Sequence, residues 1–158
     1  MIINYKGKGL LMVPITHKED GSSIKIGGRS MVRIIPGYNE ILDNEYLLVR
    51  PHLLEHISEG TIEEYGRKEK RVDRETGEEH EFYVGTSIRR QTPAKAAEMA
   101  KNCYSLDTIN IWLNGVEDGS YEPEAREDIR LILREQERKI KTGGKPPEEL
   151  AKMNITVP

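Results

Sequence analysis

The chain has 158 residues, of which 36% are hydrophobic and 32% charged, and its formal net charge is −3. This length fits one domain or two small ones, and a charge so near zero excludes a global field that draws the protein onto nucleic acid or membrane. The single cysteine, Cys103, excludes an internal disulfide and suits a reducing compartment. No apolar run approaches the roughly 20 residues of a membrane helix, and the first residues lack a signal pattern. We therefore expect a chain made in the cytoplasm, with no membrane partner.

The first forty residues predict a small antiparallel sheet or half-barrel. Segments 2–5, 10–15, 23–26 and 31–35 are rich in β-branched or large apolar residues, and turn residues separate them. Pro36-Gly37 is expected to stop the last strand. Because so small a sheet is unstable alone, helices must cover it.

Two short helices are predicted next. Asp43 or Asn44 is placed to cap a helix through Leu48, and Pro51 fits the first turn of a second helix that Gly60 ends. The side chains expected to face the sheet are Tyr46, Leu54 and Ile57.

Residues 61–91 return to extended structure and include a highly charged arm at about 66–81. Strands are predicted at 62–65 and 81–88, with a turn at 74–77. We expect the arm to be a projecting hairpin, and a disordered loop is the alternative. Its basic residues are Arg67, Lys68, Lys70, Arg71 and Arg74, which could follow phosphates. Interspersed acidic residues favour a protein partner instead, and nucleic acid stays the second choice.

The remaining helices carry clear end signals. Thr92 and Ser105 are placed to cap two of them, and Pro123 starts the longest, which runs to about Thr142 before Gly143. The predicted buried positions are the small-residue face Ala96, Ala97, Ala100 and Cys103, the large residues Phe82 and Trp112, and the stripe Ala125, Ile129, Ile132, Leu133, Gln136 and Ile140.

The predicted class is therefore α+β, with three parts along the chain. Residues 1–91 form a β-rich domain with the arm, 92–143 a helical domain, and 144–158 an extended tail. In the tail, Pro146, Pro147, Ile155 and Val157 are candidate partner contacts.

One pattern could support chemistry. His52, Glu55 and His56 spell the inverted zinc-protease motif, in which two histidines on one helix face bind zinc and the glutamate acts as base. The motif needs only three residues, and surface histidines flanking a buried Leu54 explain it more simply.

Other candidate sites have structural explanations. Gly27-Gly28-Arg29-Ser30 lacks the ending of a phosphate-binding loop and fits a turn, and Cys103 fits a buried, inert thiol. No pattern organises an acid and a base in a cleft. We expect no enzyme activity, no catalytic residue and no cofactor.

Two stretches together resemble small proteins of Mu-like prophages that are encoded in the head region, near the major capsid protein. The first is residues 28–41, ending Pro36-Gly37-Tyr38-Asn39-Glu40-Ile41, with a helical pair that follows and ends at 60–63. The second is 106–113 with Trp112, then Arg126, Ile129, Gln136 and Ile140. They cover somewhat under half of the chain. Residues 115–121 and the 67–80 arm depart from the pattern.

The resemblance implies a non-enzymatic α+β protein of the phage virion, either a capsid accessory such as a decoration protein or a head-assembly component. Its partners would be the major capsid protein, other virion proteins or further copies of itself. The alternative is a DNA-binding or host-interaction module that uses the last two helices and the basic arm.

Overall fold

A computed structural model describes the backbone of residues 1–16, 25–26, 28–85, 87–117 and 121–146, and all of their side chains except those of 67, 68 and 81–85. The strands are β1 (Ile2–Tyr5), β2 (Leu11–Pro14), β3 (Met31–Ile34), β4 (Gly37–Glu40), β5 (Ile62–Val72) and β6 (Glu79–Gly85). The α-helices are α1 (Asp43–Val49), α2 (Leu54–Glu59), α3 (Pro93–Lys101), α4 (Leu106–Val116) and α5 (Pro123–Lys141). Short 3-10 helices occupy Arg50–Leu53 and Ile88–Arg90.

The strands form two antiparallel groups. A four-stranded sheet has the order β4-β1-β5-β6, and β2 pairs with β3 in a separate two-stranded ribbon. In the sheet, Ile2 lies between Glu40 of β4 and Tyr65 of β5. The fold is the predicted α+β class with an antiparallel sheet and a hairpin arm.

The sheet is the middle of three layers. Successive side chains of a strand point to opposite faces, so Ile2 packs into one apolar cluster with the helices α3 to α5. Ile3 and Tyr5 belong to the cluster on the opposite face, which the β2–β3 ribbon and α1 complete. The cluster around Ile2 includes residues from both sides of the predicted boundary at residue 91, and the division into domains stays a prediction.

The predicted caps of α3 and α4 are confirmed, and most of the predicted buried positions in the last three helices are buried. The backbone N–H of Lys95 donates to Thr92 Oγ1 (3.2 Å) and that of Thr108 to Ser105 Oγ (3.3 Å), which caps α3 and α4. Ala96, Ala100, Cys103, Ile109, Trp112, Ile129, Leu133 and Gln136 are buried. Phe82, the other predicted core aromatic, lies outside the described side chains.

Two predictions about the short helices are wrong. Neither Asp43 nor Asn44 caps α1, because the helix already includes both residues and its N-cap is Leu42. Leu54 is exposed, and Leu53 is buried in its place. The 3-10 turn at Arg50–Leu53 tightens the chain before α2 and so changes which residue faces the core.

The sequence interpretation also missed structure after Pro36 and at Gly115. The chain turns at Pro36 and begins a new strand, β4, which pairs with β1 along its whole length. Helix α4 continues through Gly115 to Val116, whose side chain is buried.

Candidate interaction surfaces

The arm is a two-stranded ribbon that extends past the sheet. Strand β1 pairs with β5 only from Ile62 to Tyr65, whereas β5 and β6 continue to pair from Gly66↔Gly85 to Val72↔Glu79. A turn closes the arm, with Gly77 N–H donating to the Asp73 carbonyl (2.8 Å). All side chains of 70–80 are exposed. Because an isolated hairpin is marginally stable in water, this arm suits contact with another molecule.

The predicted contact residues of the arm are separated along it. Lys70 and Arg71 are exposed on β5, and Arg74 lies in the turn. The backbones of Arg67 and Lys68 pair with β6 nearer the sheet. Apart from Arg74, the positive residues thus precede Val72, while Asp73, Glu75, Glu78 and Glu79 make the tip acidic. This division was not part of the sequence interpretation, which took the arm as uniformly mixed.

The tail is described only at its start. Pro146 is half-buried and follows the end of α5. The other predicted tail contacts, Pro147, Ile155 and Val157, lie outside the described residues.

The three residues of the zinc-protease pattern make different contacts. His52 is in the 3-10 helix, and its Nε2 lies 2.9 Å from Thr16 Oγ1. His56 is in α2, with its ring edge-on to Tyr5 at 6.1 Å between centroids. Glu55 is exposed. Among the described residues, no group of three His, Cys, Asp or Glu side chains could hold a metal ion.

The two stretches that carry the phage resemblance meet in the core. Trp112 Nε1 donates to Glu40 Oε1 (3.3 Å), and the Glu40 N–H donates to Thr108 Oγ1 (3.0 Å). Burial raises the pKa of the Glu40 carboxyl, although the charge of the N-terminal ammonium and the Trp112 hydrogen bond oppose that effect. Residues of the first stretch thus depend on residues of the second, some 70 positions later.

The Pro-Gly-Tyr-Asn-Glu segment is built around its own turn. The buried Asn39 side chain donates to the carbonyls of Ile35 (2.7 Å) and Gly37 (3.0 Å), and accepts from the Ile35 N–H (3.1 Å). Gly37 has φ +104°, and a Cβ there would lie 2.3 Å from the Asn102 carbonyl oxygen. These residues hold the turn together and set the close approach of β4 to Asn102.

A cavity of about 200 Å³ lies between the ribbon, α1 and α4. Inside it, Arg29 donates to both oxygens of the buried Glu45 (2.9 and 2.8 Å) and lies 3.8 Å from Asp107. In the sequence, Arg29 belongs both to the glycine-rich turn and to the stretch 28–41. Its pairing with two carboxylates leaves it poorly placed to bind a phosphate.

The outer face of the β2–β3 ribbon was not predicted as a surface. Leu10, Met12 and Met31 expose 48%, 47% and 39% of their area. Arg33 lies directly opposite Met12 in the ribbon register. The alternation in Met31-Val32-Arg33-Ile34 indicates a half-exposed strand, but which face meets solvent depends on the rest of the fold.

Burial raises the pKa of the Cys103 thiol to about 12, which agrees with the predicted inert thiol.

In the part of the chain that the structure describes, no helix is long and apolar enough to cross a membrane. Comparisons with protein families, with curated proteins and with solved structures found no match for this chain.

Proposed function

We propose that this chain is a non-enzymatic structural protein of a tailed-phage virion. It associates with the capsid, as an accessory or as a head-assembly component, through protein–protein contacts. The observation that carries the proposal is the contact between Glu40 and Trp112. It joins the two stretches that resemble head-region proteins, so the resemblance covers one structural unit instead of two unrelated local patterns.

The arm is the proposed working surface. It presents an extended ribbon whose side chains at 70–80 are exposed to solvent. Its mainly basic stretch 67–71 and its acidic tip give it charges of both signs, which suits a protein surface with its own mixed charges. On a shell with many copies, each contact can be weak, because multivalent attachment raises the overall avidity.

The first test is quantitative mass spectrometry of particles purified from a host that carries this gene. We expect the chain in a fixed ratio to the major capsid protein. A ratio near equality indicates a decoration or shell role, and a small fixed ratio indicates a vertex or neck. Complete absence from mature particles and from assembly intermediates would refute the proposal.

A shortened arm tests the working surface. Gly66 and Gly85 are cross-strand partners, so replacing residues 67–84 with Asn-Gly closes the hairpin by a two-residue turn. We expect this variant to fold, as reported by fluorescence of the single tryptophan Trp112, and to be lost from particles. The control is Glu135→Ala with Arg138→Ala, an exposed ion pair on α5, which should leave incorporation unchanged.

Retention on duplex DNA tests the alternative. Binding that weakens steeply with salt and disappears with the shortened arm would favour a nucleic-acid partner. The acidic tip argues against it, since carboxylates repel phosphates.

A further inference from the structure

The outer face of the β2–β3 ribbon and the arm tip (residues 72–79) each place an exposed apolar side chain beside a charged one, and the two charges are opposite. On the ribbon, the inner residues Val13, Val32 and Ile34 are buried, while the outer face presents Met12 beside Arg33. Directly opposed side chains in an antiparallel pair lie about 5 Å apart. An apolar group and a guanidinium therefore stand next to each other on an otherwise apolar face. Arg33 forms no ion pair with any described residue.

The arm tip presents the same arrangement with the opposite charge. Val72 exposes 58% of its area, and its cross-strand partner is Glu79. The turn between them adds three carboxylates, on Asp73, Glu75 and Glu78, and only one guanidinium. Glu79, like Arg33, has no ion-pair partner among the described side chains.

We propose that the arm tip of one copy docks on the outer face of the β2–β3 ribbon of a second copy. Val72 packs against Met12 and Met31, and the Glu79 carboxylate pairs with Arg33. The proposal deepens the proposed function, on which it rests for its biological setting, by assigning the contact between copies on a shell.

Charge complementarity identifies the occupant as a second copy. Exposed Lys8 and Lys25 precede the two ribbon strands in sequence and add to the positive charge of this part of the chain, and the arm tip supplies the negative partner. Because the two surfaces differ, the contact is heterologous, and a pair of copies joined by one such contact still has one unoccupied arm and one unoccupied ribbon. Contacts of this kind generate rings or extended arrays, as a repeated shell component requires.

The test is a charge-reversal cycle followed by sedimentation equilibrium. Arg33→Glu and Glu79→Lys each place like charges together, so each should weaken self-association at least about tenfold. The double variant brings opposite charges together again and should recover most of the loss, as should an equimolar mixture of the two single variants. Matched controls are Lys101→Glu and Glu59→Lys, exposed charges on other elements, which should change little.

Three results would overturn the inference. The first is wild-type protein that stays monomeric up to millimolar concentration. The second is single variants that self-associate as strongly as the wild type. The third is a loss of self-association in both single variants that the double variant does not recover. Retained circular dichroism excludes unfolding as the cause of a loss. Particle incorporation separates the two proposals: incorporation without this self-association refutes only the docking, and self-association with no incorporation refutes only the virion role.

Discussion

Replacing Gly37 by alanine tests how the resemblance motif is built into the core. Gly37 has φ +104°, and a Cβ there would lie 2.3 Å from the backbone oxygen of Asn102. That oxygen accepts the Tyr38 N–H at 3.0 Å and so caps the edge of β4. An alanine must therefore push β4 away from the segment after α3.

The loss of unfolding free energy can be worked out by comparison with Gly60. This glycine ends α2 at φ +80°, and nothing lies within 4 Å of an added Cβ. Alanine in a left-handed conformation costs about 1–2 kcal/mol, and Gly60→Ala should cost only that. Gly37→Ala also leaves the Tyr38 N–H, on a buried residue, without its partner, which adds about 1–3 kcal/mol. We expect a total of about 2–5 kcal/mol, a large share of the about 5–15 kcal/mol that stabilises a typical domain.

Urea unfolding followed by Trp112 fluorescence measures both losses, because Trp112 is the only tryptophan and is fully buried. The midpoint should fall further for Gly37→Ala than for Gly60→Ala, with similar slopes. Equal losses would mean that the close approach of β4 to Asn102 does not exist, and the structural explanation of the Pro-Gly motif would fail with it.

Three further predictions concern buried groups. Burial raises the pKa of Glu40 in the folded state, so folding stability should fall as the pH rises from the unfolded-state pKa through the folded-state pKa of this carboxyl. Glu40→Gln should flatten this pH dependence and stabilise the protein at neutral pH. A urea midpoint of the wild type that stays unchanged across that pH range would contradict the prediction. Cys103, buried and with its thiol pKa raised to about 12, should react with a disulfide reagent only after unfolding, so fast reaction of the native protein would disprove its burial. Tyr46→Phe removes a hydroxyl that donates to Glu64, which also accepts from Arg50, and should cost about 1 kcal/mol by urea unfolding, whereas no loss would show that the bond is not formed.

Local signals in the sequence were sufficient to predict where most helices begin or end. Thr92 and Ser105 accept hydrogen bonds from amides of the next turn, and Pro123 fits the first helical position because it has no N–H, so none of these effects needs a distant residue. Gly60 and Gly143 ended their helices for a similarly local reason, since both adopt positive φ. Where the local signals competed, as at Asp43 and Asn44, the prediction was wrong.

Local patterns predicted most of the segments, the α+β class and the burial of Trp112, because periodicity and capping operate over a few residues. Long-range contacts fix the rest: Gly37–Glu40 is a strand because it pairs with β1, Glu40 contacts Trp112, and the ribbon exposes Met12 and Arg33. Each of these depends on pairing between residues far apart in the chain, and a strand's exposed face is set by what covers its other side.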